Sequence, residues 1–228
     1  MTSVIAHRGV VGTYPENTVG AFAEAGRLGA DGVELDVRTC ADGALVVHHG
    51  PVVPGLGPLA ELAAADLPSA VPLLDAALAA CQGMTVNVEI KNEPGEPGFD
   101  PTDAIGRRVA RALAESGWTD RVMVSSFRSE TVDAVRLADP DLAVGWLVFA
   151  HDATTALERA IERGYQALHP FVVQVRPALV DRAHAAGLAL NVWTVNADAD
   201  LVAMAALGVD AVITDRVEAA LTLCRPGA

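Results

Sequence analysis

Two pairs of charged side chains stand two residues apart inside runs otherwise rich in valine: Glu34 and Asp36 in VELDV, and Glu89 and Lys91 in VEIK. On a strand that offset puts both members of a pair on one face. Carboxylates that converge repel one another unless something cationic lies between them. A hard divalent cation meets that need with oxygen ligands alone, which suits magnesium, calcium or manganese, and the lack of Cys or clustered His ligands speaks against structural zinc. The competing reading is that Arg8, Arg38 and Lys91 neutralise the acids as buried ion pairs. His7 and His49 end two strand-like runs that would finish at the same place. Two imidazoles titrating near neutrality beside a metal are what acid-base cleavage of a phosphodiester requires. One takes a proton from the attacking oxygen, and the other protonates the leaving alkoxide. His48 would face away, since neighbours on a strand point oppositely.

These residues need a scaffold that gathers strand ends. Short β-branched runs alternate with runs of helical period along the chain, the signal of βα units around a parallel sheet. Strands are predicted over residues 3–7, 32–38, 85–91, 121–126, 142–148, 167–171, 189–195 and 211–214. Helices are predicted over 18–28, 73–80, 102–116, 130–138, 154–163, 177–186, 198–207 and 217–223. Eight repeats in 228 residues is the count of an α/β fold of the (β/α)8 TIM-barrel type, here as a single domain over 1–228. No GxGxxG follows the first strand, which disfavours an open doubly wound sheet. One segment, 39–72, breaks the rhythm as a short insertion between the second strand and second helix.

In such a barrel the polar residues at the C-terminal strand ends face the active-site mouth. That places His7, Arg8 and both charged pairs there, with Ser125, Ser126, His169, Asn191, Trp193 and Asp215 beside them. Gly29, Gly117, Gly164, Gly187 and Gly208 stand where helices should close, and Asn17, Ser129 and Asn196 or Asp198 where N-caps belong.

Composition excludes several classes. Apolar residues make up 51% of the chain, enough to bury against conformational entropy, so the chain is not disordered. The formal net charge of -13 repels phosphate backbones, and the best basic cluster, Arg107, Arg108 and Arg111, reads as the wet face of a helix; no nucleic-acid partner is expected. Cys40, Cys81 and Cys224 are odd in number and widely spaced, which argues against a disulfide scaffold. With no signal-like N-terminus and no apolar run of about 18 residues, the expectation is a cytoplasmic protein without stable membrane insertion.

Seven segments together are then specific. HRG at 7–9, PENT at 15–18, VELDVRTCADGALVVHH at 33–49, VEIK at 88–91, SSF at 125–127, VWTVN at 192–196 and GVDAVITD at 208–215 resemble the glycerophosphodiester phosphodiesterase family, in order, over essentially the whole chain. The resemblance implies hydrolysis of glycerophosphodiesters to glycerol phosphate and an alcohol, with one divalent metal ion, Mg2+ or Ca2+, with Mn2+ as a further option. It implies metal ligands at Glu34, Asp36 and Glu89, catalytic histidines at His7 and His49, and phosphate contacts from Arg8 and Lys91. Trp193 would pack on the glycerol side, while Glu16 and Asn17 would orient the first loop. The chain departs from the family at Gly50, where an acidic residue usually follows the histidine, and in an abbreviated insertion that leaves the mouth more open. Gly50 followed by Pro51 reads as a turn that needs glycine's backbone freedom. The alternatives are a phospholipase of the phosphatidylinositol-specific or sphingomyelinase D type, and a barrel that binds a ligand without turnover.

Overall fold

A computed structural model of the chain describes residues 1–225. Eight parallel strands close into a barrel: β1 (Ser3–His7), β2 (Gly32–Thr39), β6 (Thr85–Ile90), β7 (Val122–Ser126), β8 (Ala143–Val148), β9 (Ala167–Pro170), β10 (Ala189–Val192) and β11 (Ala211–Thr214). Closure comes from β1, which pairs with β11 on one side and β2 on the other. Helices α1 (Val19–Leu28), α2 (Leu74–Ala80), α3 (Ala104–Glu115), α4 (Ser129–Ala138), α5 (Ala153–Arg163), α6 (Pro177–Ala185), α7 (Asp198–Leu207) and α8 (Val217–Leu223) follow the successive barrel strands.

The apolar core lies between barrel and helices. Alternate strand residues such as Val33, Leu35 and Val37 of β2 and Val86, Val88 and Ile90 of β6 join Phe22 of α1 and Leu78 of α2 in one cluster. The intervening residues of the same strands, Glu34, Asp36, Asn87 and Glu89, belong to the other face and are almost fully buried. Register sets them side by side, with His7 opposite Glu34, Glu34 opposite Asn87, and Asp36 opposite Glu89. The barrel's inner face is therefore unusually polar for a fold whose interior is normally filled by branched apolar side chains.

The insertion is more ordered than a loop. β3 (Leu45–Val47) runs antiparallel to the end of β2 and extends the barrel sheet, and a small hairpin of β4 (Val52–Val53) and β5 (Gly57–Pro58) follows. Val46, Val53 and Leu59 bury with Cys40 in a separate small core. Arg107, Arg108 and Arg111 are exposed along α3. Among the described residues no helix is long and apolar enough to cross a membrane.

Several expected caps are elsewhere. Thr18, not Asn17, caps α1, its hydroxyl accepting from the Ala21 amide at 3.3 Å, because the Asn17 side chain is committed to Asp36. Ser129 lies inside α4 and Asp198 inside α7; Arg128 and Ala197 hold the two cap positions without side-chain hydrogen bonds. Asn196 is occupied with Asp215.

Candidate active site

His7, Arg8, Glu34, His49, Glu89, Lys91 and Trp193 line one cavity of about 200 Å³ at the C-terminal ends of the strands, together with Asn87, Phe127, Leu147 and Ile213. His48 is outside it. β3 ends at Val47, and His48 Nδ1–H donates to the Gly50 carbonyl at 2.7 Å, which turns His48 back on its own chain and leaves His49 to the cavity.

One oxygen each of Glu34, Asp36 and Glu89 lie within 4.8 Å of one another. Burial holds Glu34 well above the usual carboxylate range, and the charges of Asp36 and Glu89 add to the effect. Glu89 is raised for the same first reason, against the pull of Lys91. At Asp36 burial is the strongest influence and pushes upward, but Lys91, Arg8, His49 and the Asn17 hydrogen bond outweigh it and bring the carboxyl down. Two of the three acids thus lack sufficient compensating charge. Glu34 Oε1 is moreover buried without a hydrogen-bond partner, so an oxygen-only donor set with an unspent ligand atom fits a hard divalent cation.

The protein neutralises part of this charge itself. Lys91 Nζ lies 3.0 Å from Asp36 Oδ1 and donates to Glu89 Oε1, while Arg8 Nε is 3.2 Å from Asp36 Oδ2. Arg38 does not join them. Its Nε donates to the His49 carbonyl at 2.8 Å and its guanidinium pairs with Glu96 at 2.9 Å, so it fixes the backbone of the histidine loop.

The first loop is shaped by its backbone. Arg8 and Asn17 adopt left-handed conformations with φ of 58° and 59°. The Arg8 amide donates to Glu34 Oε2 at 3.0 Å, and its guanidinium donates to Glu16 at 2.9 Å. Gly9 has φ +83°, and a Cβ there would stand 2.6 Å from that of Ala21, so the close approach of this loop to α1 requires glycine. Asn17 clasps Asp36 twice, donating from Nδ2 to Oδ2 at 2.7 Å and accepting the Asp36 amide at 3.2 Å.

The two histidines are braced differently. His7 Nδ1–H donates to Asp215 Oδ1 at 2.7 Å, and Asp215 is held in turn by Asn196 Nδ2 at 2.6 Å. Burial is the strongest single influence on Asp215 and opposes its ionisation, but the bond to His7, the charge of His7, the Asn196 hydrogen bond and the charge of Arg8 together outweigh it and bring the carboxyl down. Nε2 is left as the free ring nitrogen of His7. His49 has a lowered pKa, first because it is half-buried; Asp36 pulls the other way, and Lys91 and Arg8 reinforce the lowering.

Two residues assigned to the mouth lie at the opposite end. His169 and Asn191 border a cavity of about 300 Å³ with Ser3, Thr85 and Ala143, at the N-terminal strand ends. The β9 and β10 strands are short, and polarity alone did not distinguish their start from their finish. Asn191 Nδ2 donates to His169 Nε2 at 3.1 Å, and complete burial lowers the His169 pKa to about 3, so it is a neutral core histidine. Ser126 is likewise structural, donating to the Ile90 carbonyl at 2.8 Å. Gly50 does not need glycine's freedom: its φ is not left-handed, and a Cβ would have no neighbour nearer than 3.7 Å. Sequence reasoning also passed over Asn87, whose amide borders the cavity without a partner; its place two residues before Glu89 was the available signal.

The family model of the glycerophosphoryl diester phosphodiesterase family matches residues 7–219. A glycerophosphodiester phosphodiesterase of Caldanaerobacter subterraneus subsp. tengcongensis is 33% identical over 248 residues, covering 99% of both chains. One from Bacillus altitudinis is 30% identical over 94% of this chain and 95% of its own. Among solved structures, an Oleispira antarctica phosphodiesterase in complex with the product sn-glycerol-3-phosphate superposes with a TM-score of 0.83 at 25% identity, over 98% of this chain and 96% of that one.

Proposed function

The chain belongs to the glycerophosphoryl diester phosphodiesterase family and is a glycerophosphodiester phosphodiesterase, and from that premise we propose that its hydrolysis depends on one divalent cation and on His7 and His49 as an acid-base pair. Glu34, Asp36 and Glu89 would hold the cation. The observation that carries this reading is the meeting of both imidazoles with Glu34, Glu89, Arg8 and Lys91 around one cavity, with Asp36 buried behind them. When bound, magnesium, calcium or manganese supplies Lewis-acid polarisation of the phosphoryl group and lowers the pKa of an attacking oxygen.

The chain's own residues do the rest. Arg8 and Lys91 bind the phosphodiester anion, and Lys91 neutralises charge that grows on the phosphoryl oxygens. One histidine removes the proton from the attacking hydroxyl as the new P–O bond forms. The bond to the alcohol breaks, and the second histidine protonates the departing alkoxide. Attack by water gives glycerol phosphate directly. Attack by the neighbouring glycerol hydroxyl gives a cyclic phosphate, which water opens with the two histidines exchanging roles. Asp215 keeps the His7 proton on Nδ1, so that Nε2 meets the substrate, and Trp193 packs against the glycerol carbons.

The product held by the Oleispira antarctica enzyme supports glycerol 3-phosphate as the retained half, and hence a role in glycerol and lipid metabolism. The three thiols are free and buried, which suits a reducing compartment such as the cytoplasm. We take residues 1–228 as one catalytic domain. A panel of glycerophosphodiesters, assayed for released glycerol phosphate with and without chelator, tests the proposal. Cleavage that stops in chelator and returns with metal supports it, and undiminished cleavage in chelator removes it.

A further inference from the structure

The barrel interior holds a second cavity, back to back with the catalytic one. The space of about 300 Å³ at the N-terminal strand ends shares Asn87 and Ile213 as walls with the catalytic cavity. It reaches the surface beside Thr85, Asp120 and Asp210, all exposed. Asn87 stands in register between Glu34 of β2 and Met123 of β7, and on β6 it shares the inner face with Glu89. Its side chain therefore lies inside the barrel, with the buried acids to one side and this cavity to the other. Asn87 is only 8% exposed, yet neither Nδ2 nor Oδ1 has a hydrogen-bond partner. A carboxamide buried with donor and acceptor both unmet is costly, and an occupant that offers both recovers the cost.

The walls narrow the occupant's chemistry. Ile5, Met123, Ala143 and Ile213 give the cavity apolar sides. His169 is neutral, with its Nε2 taken by Asn191. The charged side chains belong to the rim, where Asp120 and Arg121 precede β7 and Asp210 precedes β11. Asp210 already accepts from the Leu190 amide at 2.7 Å and meets His184 at 2.9 Å, while Arg121 lies over Trp118 at 4.1 Å. Burying an ion among neutral groups is costly, which disfavours a charged occupant. A hydrocarbon would leave the Asn87 amide unmet. The volume far exceeds the roughly 10–15 Å³ that a single water needs.

We propose that this N-terminal cavity is a second binding site, for a small uncharged polyol of about the size of glycerol. Neighbouring hydroxyls accept from Asn87 Nδ2 and donate to Asn87 Oδ1, and the carbons lie against Ile5, Met123 and Ile213. The site is independent of the chemistry proposed for the catalytic cavity.

The test follows the methionine methyl signals by NMR as the metal-loaded full chain is titrated with glycerol, because Met123 borders this cavity and not the catalytic one. The Met123 methyl should shift saturably with a Kd of about 1–10 mM, which a ligand of about six heavy atoms can supply. Glycerate, of similar size but anionic, should bind at least about tenfold more weakly. Ala143→Leu fills the cavity from β8 and should abolish the response, and Asn87→Leu should weaken it by about tenfold, each in a protein that still melts cooperatively. No saturable movement of the Met123 methyl up to about 100 mM glycerol means that the cavity holds ordered water only, and it overturns the proposal. An equal response to glycerate, or a response untouched by Asn87→Leu, overturns it as well.

Discussion

His7 and His49 reach the same cavity through unlike supports, and the difference makes their variants distinguishable. His7 is held through its ring by Asp215, whereas His49 is held through its backbone carbonyl by Arg38. Loss of either imidazole should lower kcat by about 10²- to 10⁴-fold, the usual contribution of a general acid or base, while His48→Ala should leave kcat within a small factor. Parity between the His48 and His49 variants would refute the placement of the pair. Arg38→Met removes the carbonyl tether and strands Glu96, so it should lower kcat while binding of metal, followed by calorimetry, persists. At Gly50 the open space around the Cβ position predicts that Gly50→Asp keeps the melting temperature of the parent. A joint fall in melting temperature and kcat would show that glycine is needed there after all. The three acids could be placed on one side of the sheet because strand periodicity sets faces, whereas His49 lies two residues beyond the end of β3 and reaches the cavity through the turn after it. Asp215 was legible as a polar residue at a strand end and Asn17 as a cap candidate, but their partners were not, because a bond between residues 208 positions apart leaves no mark in spacing.

The eight barrel strands and eight helices were readable for a different reason, since valine-rich runs and amphipathic stretches alternate along the chain outside the 39–72 insertion. The pieces that were not readable are short: β4 and β5 have two residues each, too few to show a period. The strands β8 and β9 carry their own testable contact. A Cβ on Gly145 would come within 2.5 Å of His169 Nε2, so Gly145→Ala should cost roughly 1–3 kcal/mol by overpacking, measurable as a lowered urea midpoint. His169 also sets a pH dependence. Burial lowers its pKa from 6.5 to about 3 in the folded state, so below 6.5 the unfolded chain binds a proton that the native state refuses. The contribution is fully present above that pH and is lost progressively as pH falls towards 3. By pH 4.5 it amounts to about 2–3 kcal/mol at most, at about 1.4 kcal/mol per pKa unit. The stability of His169→Gln should therefore fall less steeply between pH 7 and 4.5 than that of the parent, and parallel profiles would contradict the assignment.

At the scale of the molecule the barrel separates two tasks. Apolar faces turned to the helices hold the fold, and the inner faces are free to carry charge. Concentrating three buried carboxylates in a chain of net charge -13 is unfavourable for the protein alone, and the proposed divalent cation would relieve it. Binding to the native state alone should then raise the melting temperature, with about 2.7 kcal/mol gained at a metal concentration one hundred times Kd. Glu34→Gln, Asp36→Asn and Glu89→Gln should each weaken that response. The most direct measurement is release of glycerol phosphate from a cleaved glycerophosphodiester after exhaustive chelation, with the metal content of the same sample determined by elemental analysis. The account predicts no hydrolysis in the metal-free protein and recovery on adding magnesium, calcium or manganese. Full activity with no metal present would contradict it.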